Sequence, residues 1–230
     1  MSASTAAGPG IADPGTADED RTSYDDRTSY DARTALVVVD VQRDFGDPAG
    51  SLYVRGGEDV LGVVDAEISA AQEAGAPVFY TQDWHPERTP HFARDGGIWP
   101  VHCVRDTPGA ALLPGLRVVG EVVRKGVDGG DGYSGFSVRD PVSGATTDTV
   151  LGALLAAAQV ECVVVVGLAG DWCVKETALD AVRRGLRTTV PLAATRFVEL
   201  APGDGLAAVE AMRAAGVEVT GEIVTPGSPT

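Results

Sequence analysis

Apolar residues follow two rhythms along this chain. Short unbroken runs of β-branched and aliphatic side chains alternate with longer stretches at helical spacing. Ala35–Asp40 is such a run, and it closes on a carboxylate. A run with no polar alternation predicts a strand buried on both faces. Pro77–Thr81 and Cys162–Val166 repeat the pattern. Between the first two, Val60, Leu61, Val64, Ile68 and Ala71 recur at helical intervals across Glu58–Ala74, and Gly75 closes them. Further strands are predicted over Val118–Arg124, Thr188–Val190 and Val217–Thr220. Further helices are predicted over Thr149–Gln159, Trp172–Arg184 and Gly205–Ala215. Strand alternates with helix throughout, which implies parallel βαβ units. The expected fold is α/β: a three-layer α/β/α sandwich on a central, mostly parallel six-stranded sheet.

The two ends lack this rhythm. Residues 1–33 are rich in Ala, Gly, Ser, Thr, Asp and Pro, and they contain a short repeat, Asp20–Asp25 followed by Asp26–Asp31. So few large aliphatics cannot offset the entropy of ordering, so this segment reads as a disordered acidic tail. The domain is expected over 34–225, with 226–230 as a frayed C-terminus.

Composition narrows the function. A net charge of −15 with a pI near 4.5 argues against nucleic acid and against anionic membrane surfaces. No apolar run is long enough to span a bilayer, and the N-terminus lacks a basic region followed by an apolar core. Three cysteines is an odd count that suits a reducing compartment. The expectation is a cytoplasmic protein acting on a small molecule, with a homo-oligomer left open.

In an open parallel sheet, ligands bind at the carboxyl ends of the strands. Strand one ends in Asp40. Strand two leads through Asp83 into the segment that holds all three histidines, His85, His91 and His102. Strand three ends in Lys125, and the Cys162 strand ends just before Cys173, in the first turn of a helix. Imidazoles beside a carboxylate read as a site for one divalent metal ion. Orphan N–H groups at a helix start favour a thiolate at Cys173 and offer donors to an oxyanion. An Asp–Lys–Cys set can pass a proton from thiol to leaving group. Cys162 reads as inert inside a strand, and Cys103 as packing.

The segments Val38–Phe45, Gln82–Pro86, Trp99–Cys103, Lys125–Gly126 with Tyr133–Phe136, and Val166–Val174 resemble the nicotinamidase branch of the isochorismatase-like cysteine hydrolases. The resemblance covers residues 35 to about 222. It implies a metal-containing amidohydrolase that converts nicotinamide to nicotinate and ammonia, and pyrazinamide in the same way, through a thioester. It implies a triad of Asp40, Lys125 and Cys173, and an oxyanion hole from the backbone N–H groups of Ala169 and Cys173, with a cis peptide between Leu168 and Ala169. It implies Asp83, His85 and His102 as metal ligands, with His91 a ligand in some members; zinc comes first, with iron or manganese as alternatives. Phe45, Trp99 and Tyr133 match positions that sandwich the ring, with Leu168 beside them. The chain departs from the pattern in its Gly- and Asp-rich segment Val127–Gly132, which leaves the placement of Tyr133 open. Two competing readings are a relative acting on a different small amide, and a non-catalytic zinc module built on His85, His91, His102 and Cys103.

Overall fold

The computed structural model describes Met1 and residues 29–224. The expected C-terminal fraying and nearly all of the expected tail therefore lie outside the described residues. Six parallel strands lie in the order β3 (Glu121–Lys125), β2 (Val78–Asp83), β1 (Thr34–Val39), β6 (Cys162–Leu168), β7 (Arg187–Pro191), β9 (Glu218–Thr220). A seventh, the two-residue β8 (Thr195–Arg196), pairs in parallel with the end of β6. The six-stranded expectation missed β8 because two residues carry no periodicity. It also missed the antiparallel hairpin of β4 (Ser137–Arg139) and β5 (Thr146–Asp148), which stands apart from the main sheet and is partly to fully exposed.

Strand β1 shows why its sequence has no polar face. Ala35, Val37 and Val39 pack on one side of the sheet with α3 (Leu151–Ala157), α4 (Cys173–Arg183) and α5 (Asp204–Ala214). Leu36 and Val38 pack on the other side with α2 (Val60–Glu73). Helix α2 faces the sheet with Val60, Val64, Ile68 and Ala71, the predicted stripe. The four-residue α1 (Arg43–Gly46) follows β1 directly.

The chain runs from β1 outward to β2 and β3, then crosses back to β6 on the other side of β1. The strand order reverses between β1 and β6, so a crevice opens beyond their carboxyl ends. Register aligns what lies there: Asp83 pairs with Lys125 across β2 and β3, and Val39 with Gly167 across β1 and β6. A Cβ on Gly167 would meet the Val39 carbonyl at 2.2 Å, so glycine sets how closely these strands approach.

The last residues of the predicted tail belong to the fold. Tyr30 packs against the α2 side of the core, and its hydroxyl donates to Glu67 Oε2 at 2.7 Å. Among the described residues, no helix is long and apolar enough to cross a membrane.

Candidate active site and metal centre

Each triad residue of the sequence reading sits at a strand end or helix start. Asp40 leaves β1 with φ of 48°, a left-handed conformation that turns its carboxylate into the crevice. Thr81 on β2 donates its hydroxyl to Asp40 Oδ1 at 2.6 Å. Lys125 Nζ lies 2.9 Å from Asp40 Oδ2, bonds to Asp83 Oδ1, and reaches Cys173 Sγ at 3.8 Å. Asp40, Asp83, Lys125 and Cys173 are all buried. One ammonium thus serves two carboxylates and a thiol. The contact with Asp40 Oδ2 is an ion pair without hydrogen-bond alignment, so that oxygen retains a free lone pair.

Burial and charge set the protonation states. Burial alone pulls an ammonium down, but Asp40 and Asp83 outweigh it and hold Lys125 well above its usual value. Burial raises the Asp40 carboxyl, and Lys125 only partly offsets this. Asp83 is also buried, yet Lys125 and the neighbouring imidazoles hold it below the usual carboxylate range. At Cys173 the surroundings oppose the preference for a thiolate that the helix start confers. Burial pushes its thiol well above the ordinary value, and Asp40 and Asp83 add to the effect while Lys125 opposes it. The two carboxylates were legible in the sequence, but their shared proximity to the sulfur was not.

Residues 168–173 form the other wall. The peptide between Leu168 and Ala169 is cis. Among the described residues, the N–H groups of Ala169 and Cys173 donate to no protein acceptor, whereas Trp172 and Val174 N–H both bond the Ala169 carbonyl at 3.0 Å. Two unspent donors thus belong to residues that line the same cleft, the kind of donor an oxyanion hole uses.

The three histidines form a second cluster, with one ligand atom from each lying within 4.8 Å of the others. His102 Nδ1 is 2.8 Å from the Pro100 carbonyl, which can only accept, so Nε2 carries the lone pair. His91 Nδ1 is 2.6 Å from Asp131 Oδ1, which leaves Nε2 free in the same way. His85 has no hydrogen-bond partner at either ring nitrogen, although both are buried. Burial pushes His85 down to about 3 and lowers His102 as well, so both rings stay neutral and able to ligate. Asp83 Oδ2 lies 3.8 Å from His85 Nε2 while Oδ1 engages Lys125, so this carboxylate stands between the two clusters. Orphaned neutral imidazoles beside a carboxylate fit a divalent ion of the zinc type. Gly126 fits closely behind them: at φ of 76°, a Cβ there would meet His85 Nδ1 at 2.7 Å.

A cleft joins the two clusters. Phe45, Trp99, Tyr133 and Leu168 line it with Asp83, His91, His102 and Cys173. Tyr133 thus lies on the cleft wall, and its hydroxyl accepts from Trp99 Nε1 at 3.0 Å. Sequence reasoning missed Trp172, whose ring centroid lies 4.9 Å from that of Trp99 and 4.8 Å from that of Tyr133. Its place beside the cysteine was the available signal. It also missed Gln42, which bonds the Asp83 backbone at both N–H and carbonyl. Cys103, expected to pack, is fully buried, while Cys162 is half-buried at the start of β6.

The Isochorismatase domain matches residues 34–222. The chain belongs to the isochorismatase family. Its relatives in that family include the nicotinamidase/pyrazinamidase of Mycobacterium tuberculosis, 38% identical over 190 residues, covering 80% of this chain and 97% of that protein. The crystal structure of the Pyrococcus horikoshii pyrazinamidase in complex with zinc is 35% identical, with a TM-score of 0.72, covering 82% of this chain and 98% of that one. A structure from L. infantum in complex with nicotinate is 34% identical, with a TM-score of 0.75, covering 84% and 95%. The isochorismatase fold and the α/β topology described above therefore agree.

Proposed function

We propose that this chain is a metal-containing cysteine amidohydrolase that converts nicotinamide to nicotinate and ammonia. The observation that carries the reading is the cleft joining an Asp40–Lys125–Cys173 set to an orphaned three-histidine cluster, in a chain 31–38% identical to several nicotinamidases.

Cys173 would attack the carboxamide carbon as its proton passes to Asp40. A carboxyl raised by burial holds a transferred proton more readily than an exposed one, which suits a group that takes a proton and returns it. Lys125 would hold Asp40 in place and stabilise negative charge on sulfur. The N–H groups of Ala169 and Cys173 would receive the carbonyl oxygen as it becomes an oxyanion. Asp40 would then protonate the departing ammonia, and water would hydrolyse the thioester to the acid. Because burial and the two carboxylates disfavour a free thiolate, proton transfer and attack would be coupled. Trp99, Tyr133, Trp172 and Phe45 would clasp the ring. A divalent metal held by Asp83, His85, His91 and His102 would supply an open position for the pyridine nitrogen, an orienting role. The donor set of imidazoles and a carboxylate supports zinc, with iron and manganese next. A small-molecule substrate and a cytoplasmic location complete the proposal.

The test is ammonia release from nicotinamide, pyrazinamide and benzamide by protein of measured metal content. Benzamide keeps the ring shape and carboxamide but lacks the ring nitrogen. A site built on that contact rejects it strongly. Equal kcat/KM for benzamide and nicotinamide would overturn the substrate assignment.

A further inference from the structure

We propose that Asp131 is a positioning residue: its bond to His91 holds that ring ready for the metal, and the same bond ties the loop carrying Tyr133 to the loaded site. The inference rests on the metal reading above and goes beyond it. Asp131 lies in the Gly-rich departure from the family pattern, Val127–Gly132, whose purpose the sequence did not suggest.

The geometry is pre-set from two sides. The Asp131 backbone is paired antiparallel with Arg139 of β4, N–H to carbonyl in both directions, at 2.6 and 2.5 Å. The hairpin thus fixes the residue without using its side chain. The carboxylate is free to accept from His91 Nδ1 at 2.6 Å, and His91 Nε2 is left as the ligating atom. A carboxylate behind a ligating imidazole fixes its tautomer and raises its basicity. The loop has a second tie to the histidine segment, since Thr89 Oγ1 donates to the Gly129 carbonyl at 3.2 Å. Two residues beyond Asp131, Tyr133 packs on Trp99 and Trp172 in the cleft. Four glycines, at 126, 129, 130 and 132, leave the loop little intrinsic stiffness. A charged bond to a metal-held ring therefore adds to the Arg139 pairing and the Trp99 hydrogen bond in restraining where Tyr133 stands.

The test uses the full-length protein, zinc and a competing chromophoric chelator, together with hydrogen exchange of residues 127–133. Asp131→Ala should weaken zinc roughly 10- to 100-fold. Asp131→Asn keeps an acceptor oxygen of the same shape and should lose less, but measurably. Neither change should weaken zinc further in a His91→Ala background. In the parent, removing zinc should raise exchange across 127–133, and in Asp131→Ala the loop should exchange at the zinc-free rate with or without zinc. Zinc affinity of Asp131→Ala within threefold of the parent, or the same loss with His91 already removed, overturns the positioning role. Should Asp131→Ala fail to fold, an unchanged affinity in Asp131→Asn overturns it instead. Exchange in the parent that ignores zinc overturns the tie to Tyr133. A parent that binds no zinc at all fails at the earlier step, the metal reading.

Discussion

The two clusters on the crevice are buried alike but satisfied differently. In the triad cluster every charge has an opposite charge beside it, although Asp40 Oδ2 accepts no aligned hydrogen bond: Lys125 answers Asp40 and Asp83, and Thr81 answers the other Asp40 oxygen. In the histidine cluster, His85 is buried with neither ring nitrogen bonded, and His91 and His102 each have only Nδ1 engaged. Burying an unpaired polar group costs free energy. On the proposed reading this difference suits the first cluster to proton transfer and the second to an external ligand. The difference is testable, because the first cluster should fail when a member is removed, and the second when its ligand is removed.

The largest effects should fall on the triad. Cys173→Ala should lower kcat on nicotinamide by at least about 10³-fold with the fold and metal content retained, since the nucleophile has no substitute. Asp40→Asn and Lys125→Met should each lose most activity, and the double variant little more, because members of one unit are not additive. Independent, multiplying losses in steady-state kinetics would remove one of them from the mechanism. Lys125→Met should also destabilise by about 3–5 kcal/mol, because it leaves two buried carboxylates unpaired. The histidine cluster should behave in the opposite way. Metal-free His85→Leu should melt no lower than metal-free parent, since His85 has no protein hydrogen bond to lose. A large fall in its melting temperature would erase the contrast.

Metal removal comes next in size. Chelation should chiefly raise KM for nicotinamide and lower kcat by misorientation, and His85→Ala and His102→Ala should resemble it. Full activity in protein verified as metal-free would break the link between the open cluster and the substrate.

The same contrast explains what was legible in the sequence. The triad lies on strand ends, and β-branched runs mark strand ends sharply, so Asp40, Lys125 and Cys173 could be placed on one edge before any coordinates. The histidines were visible as a cluster in sequence, though not as a geometry, because they hang on loops. What stayed hidden depended on long-range packing with no local signature: Trp172 against Trp99, Asp131 reaching His91 across 40 residues, and the raised thiol of Cys173, which follows from burial beside two carboxylates brought together by strands distant in sequence. Strand β8 escaped for a different reason, its length of two residues.

Acid should separate the clusters with a smaller effect. His85 in the metal-free fold sits at about 3 against an ordinary 6.5, and His102 is lowered in the same direction. Between those values the unfolded chain binds protons that the folded chain refuses. Stability therefore rises with pH across this window and falls as pH drops below about 6.5. The slope is at most about 1.4 kcal/mol per pH unit for each such histidine. Bound metal favours the neutral imidazole in the fold, so the loaded protein should start from a higher stability and lose metal as pH falls. Melting curves of metal-free protein from pH 7.5 to 4.5 check the sign. A melting temperature that is flat or rises toward acid would mean that these rings are not held neutral.

The smallest effect lies far from both clusters, at the margin between tail and domain. Residues 1–28 are too poor in apolar side chains to add to a core, so deleting them should leave activity and melting temperature nearly unchanged. Tyr30 differs: its ring packs beside α2, and its hydroxyl donates to Glu67, whose carboxyl burial has raised. Tyr30→Phe should cost about 1 kcal/mol for the lost hydrogen bond. In a domain of this size that lowers the melting temperature by about 2–4 °C. Tyr30→Ala should cost more, since the ring's burial is lost as well. Neither should change KM, because α2 packs on the sheet face away from the Cys173 helix. A deletion of 1–28 that destabilises as much as Tyr30→Ala would move the boundary of the fold into the repeat. A Tyr30→Ala variant indistinguishable from the parent would return it to residue 34.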